Sequence, residues 1–224
     1  MPEHELIVQG NAVLLVERKV LKAVHTEDFF RELARATILH SGILPHGCIC
    51  ISKKNDRTLA VMETSPRVVP LIYRDNTYRV SLPFAQFYIV LSNAGNGNYG
   101  LNQCFVSCTK KPIRQMEDSV FRLPTPNVFP DGHVCLGGIR CEGAPLREVT
   151  TDLMQKFWGS PFNPDLALHF PHFLDRRPTK NIVEVLREWE KESKTNNFFA
   201  LEETTRYAPH TGLTFEGVIK QCLS

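Results

Sequence analysis

The chain has 224 residues, 42% hydrophobic and 22% charged, the balance of a globular protein, which excludes wholesale disorder. Twenty-six Lys+Arg against 24 Asp+Glu leave a net charge of +2 with no basic block, which argues against nucleic acid as a partner. No apolar run approaches the roughly 18 residues of a membrane span, and the opening Met-Pro-Glu-His-Glu lacks a secretory pattern. A cytoplasmic protein that does not cross a membrane is therefore expected.

In chain order, Leu6–Val8 and Ala12–Val16 are short apolar runs around Gln9-Gly10-Asn11, a hairpin signal. Thr26-Glu27-Asp28 reads as a helix start, with Phe29, Phe30, Leu33, Ala34 and Thr37 at helical spacing before Gly42. Three strand pairs follow. Cys48–Ser52 and Thr58–Glu63 flank a polar turn, as do Val68–Tyr73 and Tyr78–Leu82. Phe87–Leu91 and Leu101–Cys108 flank Asn93–Gly100, which reads as a flexible connection. From Pro112 to Gly143 periodicity is lost; a loop of that length inside a compact domain is uncommon unless functional. Thr150-Thr151-Asp152 then predicts a helix with Leu153, Met154, Phe157 and Trp158 as its apolar stripe. Thr179 predicts another, with Ile182, Val185, Leu186 and Trp189 facing a core. The expected class is α+β, with an antiparallel meander and helices segregated from it. The expected organisation is a hairpin extension over 1–25, a catalytic domain over 26–195 and a tail over 196–224, packed or partly flexible.

Seven cysteines at uneven spacing read as reduced thiols. Cys48-x-Cys50, Cys104-x3-Cys108 and Cys135-x5-Cys141 do not match the paired spacing of common zinc sites, so neither a metal nor a cofactor is expected. Cys48 and Cys50 would share one face of a strand.

The informative segment is Leu123-Pro-Thr-Pro-Asn-Val-Phe-Pro-Asp-Gly-His-Val-Cys-Leu-Gly137. It resembles the active-site stretch of ubiquitin-conjugating enzymes: His-Pro-Asn, Val or Ile, an aromatic, then Gly, and a catalytic Cys before Leu. Pro126, Asn127, Val128, Phe129, Gly132, Val134, Cys135 and Leu136 match it, and the step from Asn127 to Cys135 is the family's spacing. Thr125 stands where the family has His, a residue that is mainly structural there. The chain is most similar to the prokaryotic ubiquitin-conjugating-like families, in particular PRTRC system protein B, whose Phe-(Phe/Trp)-x-Ser-x-Phe segment looks like Phe157-Trp158-Gly159-Ser160-Pro161-Phe162.

The resemblance implies a ubiquitin-conjugating-enzyme-like (UBC-like) fold and a transferase. Cys135 would receive a ubiquitin-like protein from an adenylating activating enzyme as a thioester and pass it to an amine of a target protein. It further implies a bacterial setting, a mobile or antiviral-defence locus that also encodes a metal-dependent isopeptidase. Cys135 and Asn127 would be the catalytic pair, with Thr125, Pro126, Gly132, His133 and Leu136 in the active-site loop.

The residues suit that chemistry. A thiol near its ordinary pKa is only a few per cent thiolate at neutral pH yet strongly nucleophilic, so no adjacent base is required. Amine attack on a thioester makes an oxyanion, and an uncharged amide such as that of Asn127 is a suitable donor to it. Pro124, Pro126 and Pro130 stiffen the loop. Each residue also has a plainer reading. Cys135 taken alone is one more buried thiol, Asn127 and Asp131-Gly132 are turn formers, and Trp158 and Phe162 are core. His133, two residues from Cys135, lies on its side in an extended segment but reads better as an exposed loop residue. The joint match at fixed spacing favours the catalytic reading. Two other functions compete with it. One is a catalytically inactive UBC-like module that binds a ubiquitin-like protein or the activating enzyme. The other is a thiol hydrolase using His169, His172 or His210.

Overall fold

The computed structural model describes residues 5–9, 12–16, 20–25, 44–123, 125–129, 131–162, 181–199, 201–202 and 213–224. The chain divides into two compact units, Met1–Ile43 and Leu44–Ser224. In the first, β1 (Glu5–Gln9), β2 (Ala12–Val16) and β3 (Val20–His25) form a three-stranded antiparallel sheet in that order. The expected hairpin thus gains a third strand. The helix expected over residues 26–42 lies outside the described residues.

The second unit is built on an antiparallel sheet in which β4 (Cys48–Lys54), β5 (Arg57–Thr64), β8 (Phe84–Gly95) and β9 (Asn98–Thr109) are successive neighbours. The hairpin of β6 (Arg67–Tyr73) and β7 (Asn76–Leu82) interrupts the meander and forms its own two-stranded sheet. Pro66 and Pro83 stand at the two corners, where a residue without an N–H cannot continue the ladder. The expected loop from Asn93 to Gly100 is instead nearly all strand. Gly95 pairs with Asn98, leaving Asn96 (φ 52°) and Gly97 (φ 77°) as a two-residue turn of the left-handed kind that matches strand twist.

The central strands are apolar without alternation because both faces are covered. On one face Phe87, Ile89, Leu91, Cys104 and Val106 join a core with the β6–β7 hairpin, α1 (Leu146–Gly159) and α2 (Ile182–Glu192). On the other, Leu59, Val61, Tyr88, Val90 and Phe105 pack under α3 (Phe215–Cys222), a helix within the expected tail. The class is α+β, with antiparallel sheets and a few helices.

The cysteine expectation for β4 fails. Cys48 pairs with Met62 and Cys50 with Val61, so a bulge at Ile49 sends the two thiols to opposite faces. The helix starts also differ. α1 begins at Leu146 after Pro145, four residues before the Thr-Thr-Asp signal, and Thr150 is buried inside it, its hydroxyl donating to the Arg147 carbonyl. α2 is capped by Asn181, whose side chain accepts from the Glu184 N–H while Glu184 accepts from the Asn181 N–H. Thr179 lies outside the described residues.

Helix α2 is locked to β7 by a closed set of bonds. Ser193 Oγ accepts from the Ser81 N–H at 2.7 Å and donates to the Trp189 carbonyl at 2.6 Å. Trp189 Nε1 donates to the Ser81 carbonyl at 3.0 Å.

Candidate active site

The far edge of β9 is where the long loop docks. The short strand β10 (Phe121–Arg122) covers its C-terminal end and β11 (Ala144–Pro145) its N-terminal end. Between them the Val106 N–H donates to the Gly132 carbonyl (2.8 Å), the Val134 N–H to the Cys104 carbonyl (2.8 Å) and the Leu101 N–H to the Cys141 carbonyl (2.9 Å). Residues 132–141 therefore ride along a strand edge that would otherwise carry unpaired amides.

Within the loop, the motif is a small hairpin. The Cys135 N–H donates to the Asn127 carbonyl at 2.8 Å, Val128 and Val134 form an antiparallel bridge, and the Phe129 N–H donates to the His133 carbonyl at 2.8 Å. Gly132 (φ 87°) closes it, donating to the Phe129 carbonyl, and Asp131 Oδ1 accepts from the His133 N–H. A Cβ on Gly132 would stand 3.2 Å from the Val106 carbonyl oxygen, so this glycine is needed both for its backbone angle and for the docking. Pro126 followed by Asn127 at φ 64° is the residue pair favoured at the centre of a type II turn. Asn is one of the few side chains that tolerates that region. Pro124 and Pro130 lie outside the described residues.

Cys135 and Asn127 line one cleft of ≈ 650 Å³. Leu136, Gly137 and Gly138 also line it, and α1 contributes Asp152, Gln155 and Lys156. Gly159, Ser160 and Pro161 of the Phe157–Phe162 segment close its end, while Phe157, Trp158 and Phe162 pack edge to face or tilted in the core below. Asn127 is 8% exposed, and Cys135 is half-buried.

Cys48 and Cys50 are half-buried like Cys135, whereas Cys104, Cys108, Cys141 and Cys222 are buried. Burial pushes the Cys104 and Cys108 thiols well above their ordinary range and Cys222 up to about 12. Cys141 is pushed up to about 11, by burial and by its hydrogen bond to Asp152 Oδ2 at 3.1 Å, which stabilises the neutral thiol. Burial also raises Cys48.

His133 was expected as an exposed loop residue and is half-buried. The His133 ring lies against Phe105 (centroids 5.0 Å apart) and Phe129 (5.9 Å) and is not among the residues lining the cleft. Thr125, in the place of the family's His, is 3% exposed, and its hydroxyl has no hydrogen-bond partner among the described residues. It fills space in the loop's base. His169, His172 and His210, the bases a hydrolase would need, lie outside the described residues.

The sequence reading missed the ion pair on α1 that lines the cleft. Lys156 Nζ lies 2.7 Å from Asp152 Oδ2 and donates to the Arg140 carbonyl at 3.1 Å. The pair lowers Asp152 and raises Lys156, so both carry charge at neutral pH. Its i,i+4 spacing was visible in the sequence; its place in the cleft that Cys135 lines was not. Among the described residues no group of three or more His, Cys, Asp or Glu could hold a metal ion, and no helix is long and apolar enough to cross a membrane. Compared with known proteins, the chain matches no family model, no curated protein and no solved structure.

Proposed function

We propose that the protein is a cysteine-based acyl carrier of the ubiquitin-conjugating type with a UBC-like fold. Cys135 takes the C-terminal acyl group of a ubiquitin-like protein from an activating enzyme's thioester and holds it as a thioester. An amine of a target then attacks, with the Asn127 amide stabilising the oxyanion. The observation that carries this reading is that Cys135 and Asn127 are joined by a backbone hydrogen bond of 2.8 Å and line one open cleft. A thiol that must meet two macromolecules in turn needs such an accessible place, and the more deeply buried thiols of this chain do not have one.

Thioester exchange needs no oxidant. The Cys135 thiolate attacks the incoming thioester carbonyl, the new C–S bond forms, and the donor's thiolate leaves. A donor amide held in place at the oxyanion is worth roughly 3–4 kcal/mol in comparable acyl transfers. The test is incubation with the cognate activating enzyme, ubiquitin-like protein and ATP. A reductant-labile adduct that Cys135→Ala abolishes is expected. Binding without an adduct would instead favour a catalytically inactive module, and ATP-independent cleavage a thiol hydrolase.

A further inference from the structure

The cleft that receives the acyl group on Cys135 already contains an amine. Lys156, on α1, lines the same ≈ 650 Å³ space as Asn127 and Cys135. Its flexible four-carbon stem gives it reach. An amine so confined competes with external acceptors at a high effective concentration, because the encounter is intramolecular. An acyl carrier with a free lysine here would discharge onto itself.

The Lys156 nitrogen is not free. Asp152 Oδ2 lies 2.7 Å from it and the Arg140 carbonyl accepts from it at 3.1 Å. The same carboxylate oxygen accepts from the Cys141 thiol at 3.1 Å, which fixes Asp152 from its other side. An ammonium held by two acceptors has no lone pair to offer a carbonyl.

We propose that Lys156 is a built-in acceptor for the acyl group carried by Cys135, held back by its ion pair with Asp152, so that loss of the pair speeds conversion of the thioester into a permanent self-acylation. This rests on the reading of Cys135 as the acyl carrier. The step balances without a further reactant. Once Lys156 has given its extra proton to solvent, its nitrogen attacks the thioester carbonyl and a C–N bond forms. The C–S bond breaks, Cys135 leaves as thiolate, and the second proton of the amine passes to solvent or to the departing sulfur. The product amide would occupy the cleft with the acyl tail and block reloading. Asp152 and Lys156 are both half-exposed on a helix surface, so substitutions there leave the core untouched.

The experiment uses the full chain and a Gly-terminated peptide carrying a C-terminal mercaptoethanesulfonate thioester, which exchanges onto an accessible thiol without an activating enzyme. Intact mass is followed over time before and after dithiothreitol, and adducts are mapped by tryptic peptides. Wild type should hold a dithiothreitol-labile adduct on Cys135. Asp152→Asn should convert it to a resistant amide on Lys156 faster than wild type, by about 1.4- to 2-fold, the scale of losing one exposed i,i+4 pair. Asp152→Asn with Lys156→Arg should keep only the labile adduct. Loading of Cys135 without a faster amide at Lys156 in Asp152→Asn, or a slower one, overturns this proposal and leaves the carrier reading standing. No adduct on Cys135 in any variant overturns both.

Discussion

Two substitutions at Asn127 separate its backbone role from the proposed role of its amide. Its backbone sits at φ 64°, and the residue lines the cleft with Cys135. Asn127→Ala removes the amide and also forces a Cβ-bearing residue without Asn's local hydrogen bonding into the left-handed region, at a cost of about 1–2 kcal/mol. Asn127→Gly removes the same amide, but glycine adopts that backbone freely; its larger unfolded-state entropy returns only about 0.5–1 kcal/mol of the advantage. Both variants lose the side chain's own hydrogen bonds equally, so their difference reports the backbone alone. Asn127→Ala should therefore melt below Asn127→Gly by a difference near 1 kcal/mol, which for a chain of this size is about 2–4 °C. In single-turnover discharge of the Cys135 thioester to an amine, both should fall on the order of 10²-fold if the amide donates to the oxyanion. Loading, where the activating enzyme contributes to the site, should fall less. Discharge by Asn127→Gly within about threefold of wild type, with Asn127→Ala slow, would refute the oxyanion role and leave Asn127 as a turn residue.

Gly132→Ala places a methyl 3.2 Å from the Val106 carbonyl at φ 87°, and should cost about 1–3 kcal/mol while impairing loading, because the Cys135 hairpin loses its seat on β9. Unchanged melting would show that the loop docks differently. Ser193→Ala leaves the buried Ser81 N–H without its 2.7 Å acceptor and should lower stability by about 1–3 kcal/mol with loading per folded molecule intact. Thr125→Val removes a buried, unpartnered hydroxyl at nearly constant shape and should be neutral or stabilising by up to about 1 kcal/mol in denaturant titration; a clear loss would mean the hydroxyl has a partner. Cys141, with its thiol pushed up to about 11, is almost wholly protonated at pH 8 and should react with iodoacetamide far more slowly than Cys135, as peptide mapping would show; faster reaction would contradict the Asp152 contact.

The six strands from Cys48 to Cys108 were legible because apolar runs and polar turns alternated, but several details were decided by non-local packing. Asn93–Gly100 has the composition of a loop, yet its flanks are drawn into β8 and β9, and only Asn96-Gly97, itself a hairpin signal, turns. The Thr150-Thr151-Asp152 cap signal failed because Thr150 is needed in the core, so the helix starts one turn earlier without a side-chain cap. Helix α3 was readable after the fact: Thr214 caps it by accepting from the Gly217 N–H, and Phe215, Val218, Ile219 and Cys222 recur at helical spacing. Eight residues with an internal glycine gave too short a pattern to stand out.

The candidate site divides the same way. Asp152 and Lys156 could not be placed by inspection of the chain, because their approach to Cys135 depends on β11 pairing with β9 and turning the backbone into α1. The spacing from Asn127 to Cys135, by contrast, has a direct geometric meaning. In the hairpin Asn127 faces Cys135, Val128 faces Val134 and Phe129 faces His133, with the turn closed at Gly132. One residue more or fewer between Asn127 and Cys135 would shift that register and turn the Val134 side chain out of the core, where it is 1% exposed. The fixed step is therefore what a short, strand-anchored hairpin needs to bring Asn127 and Cys135 to the same cleft.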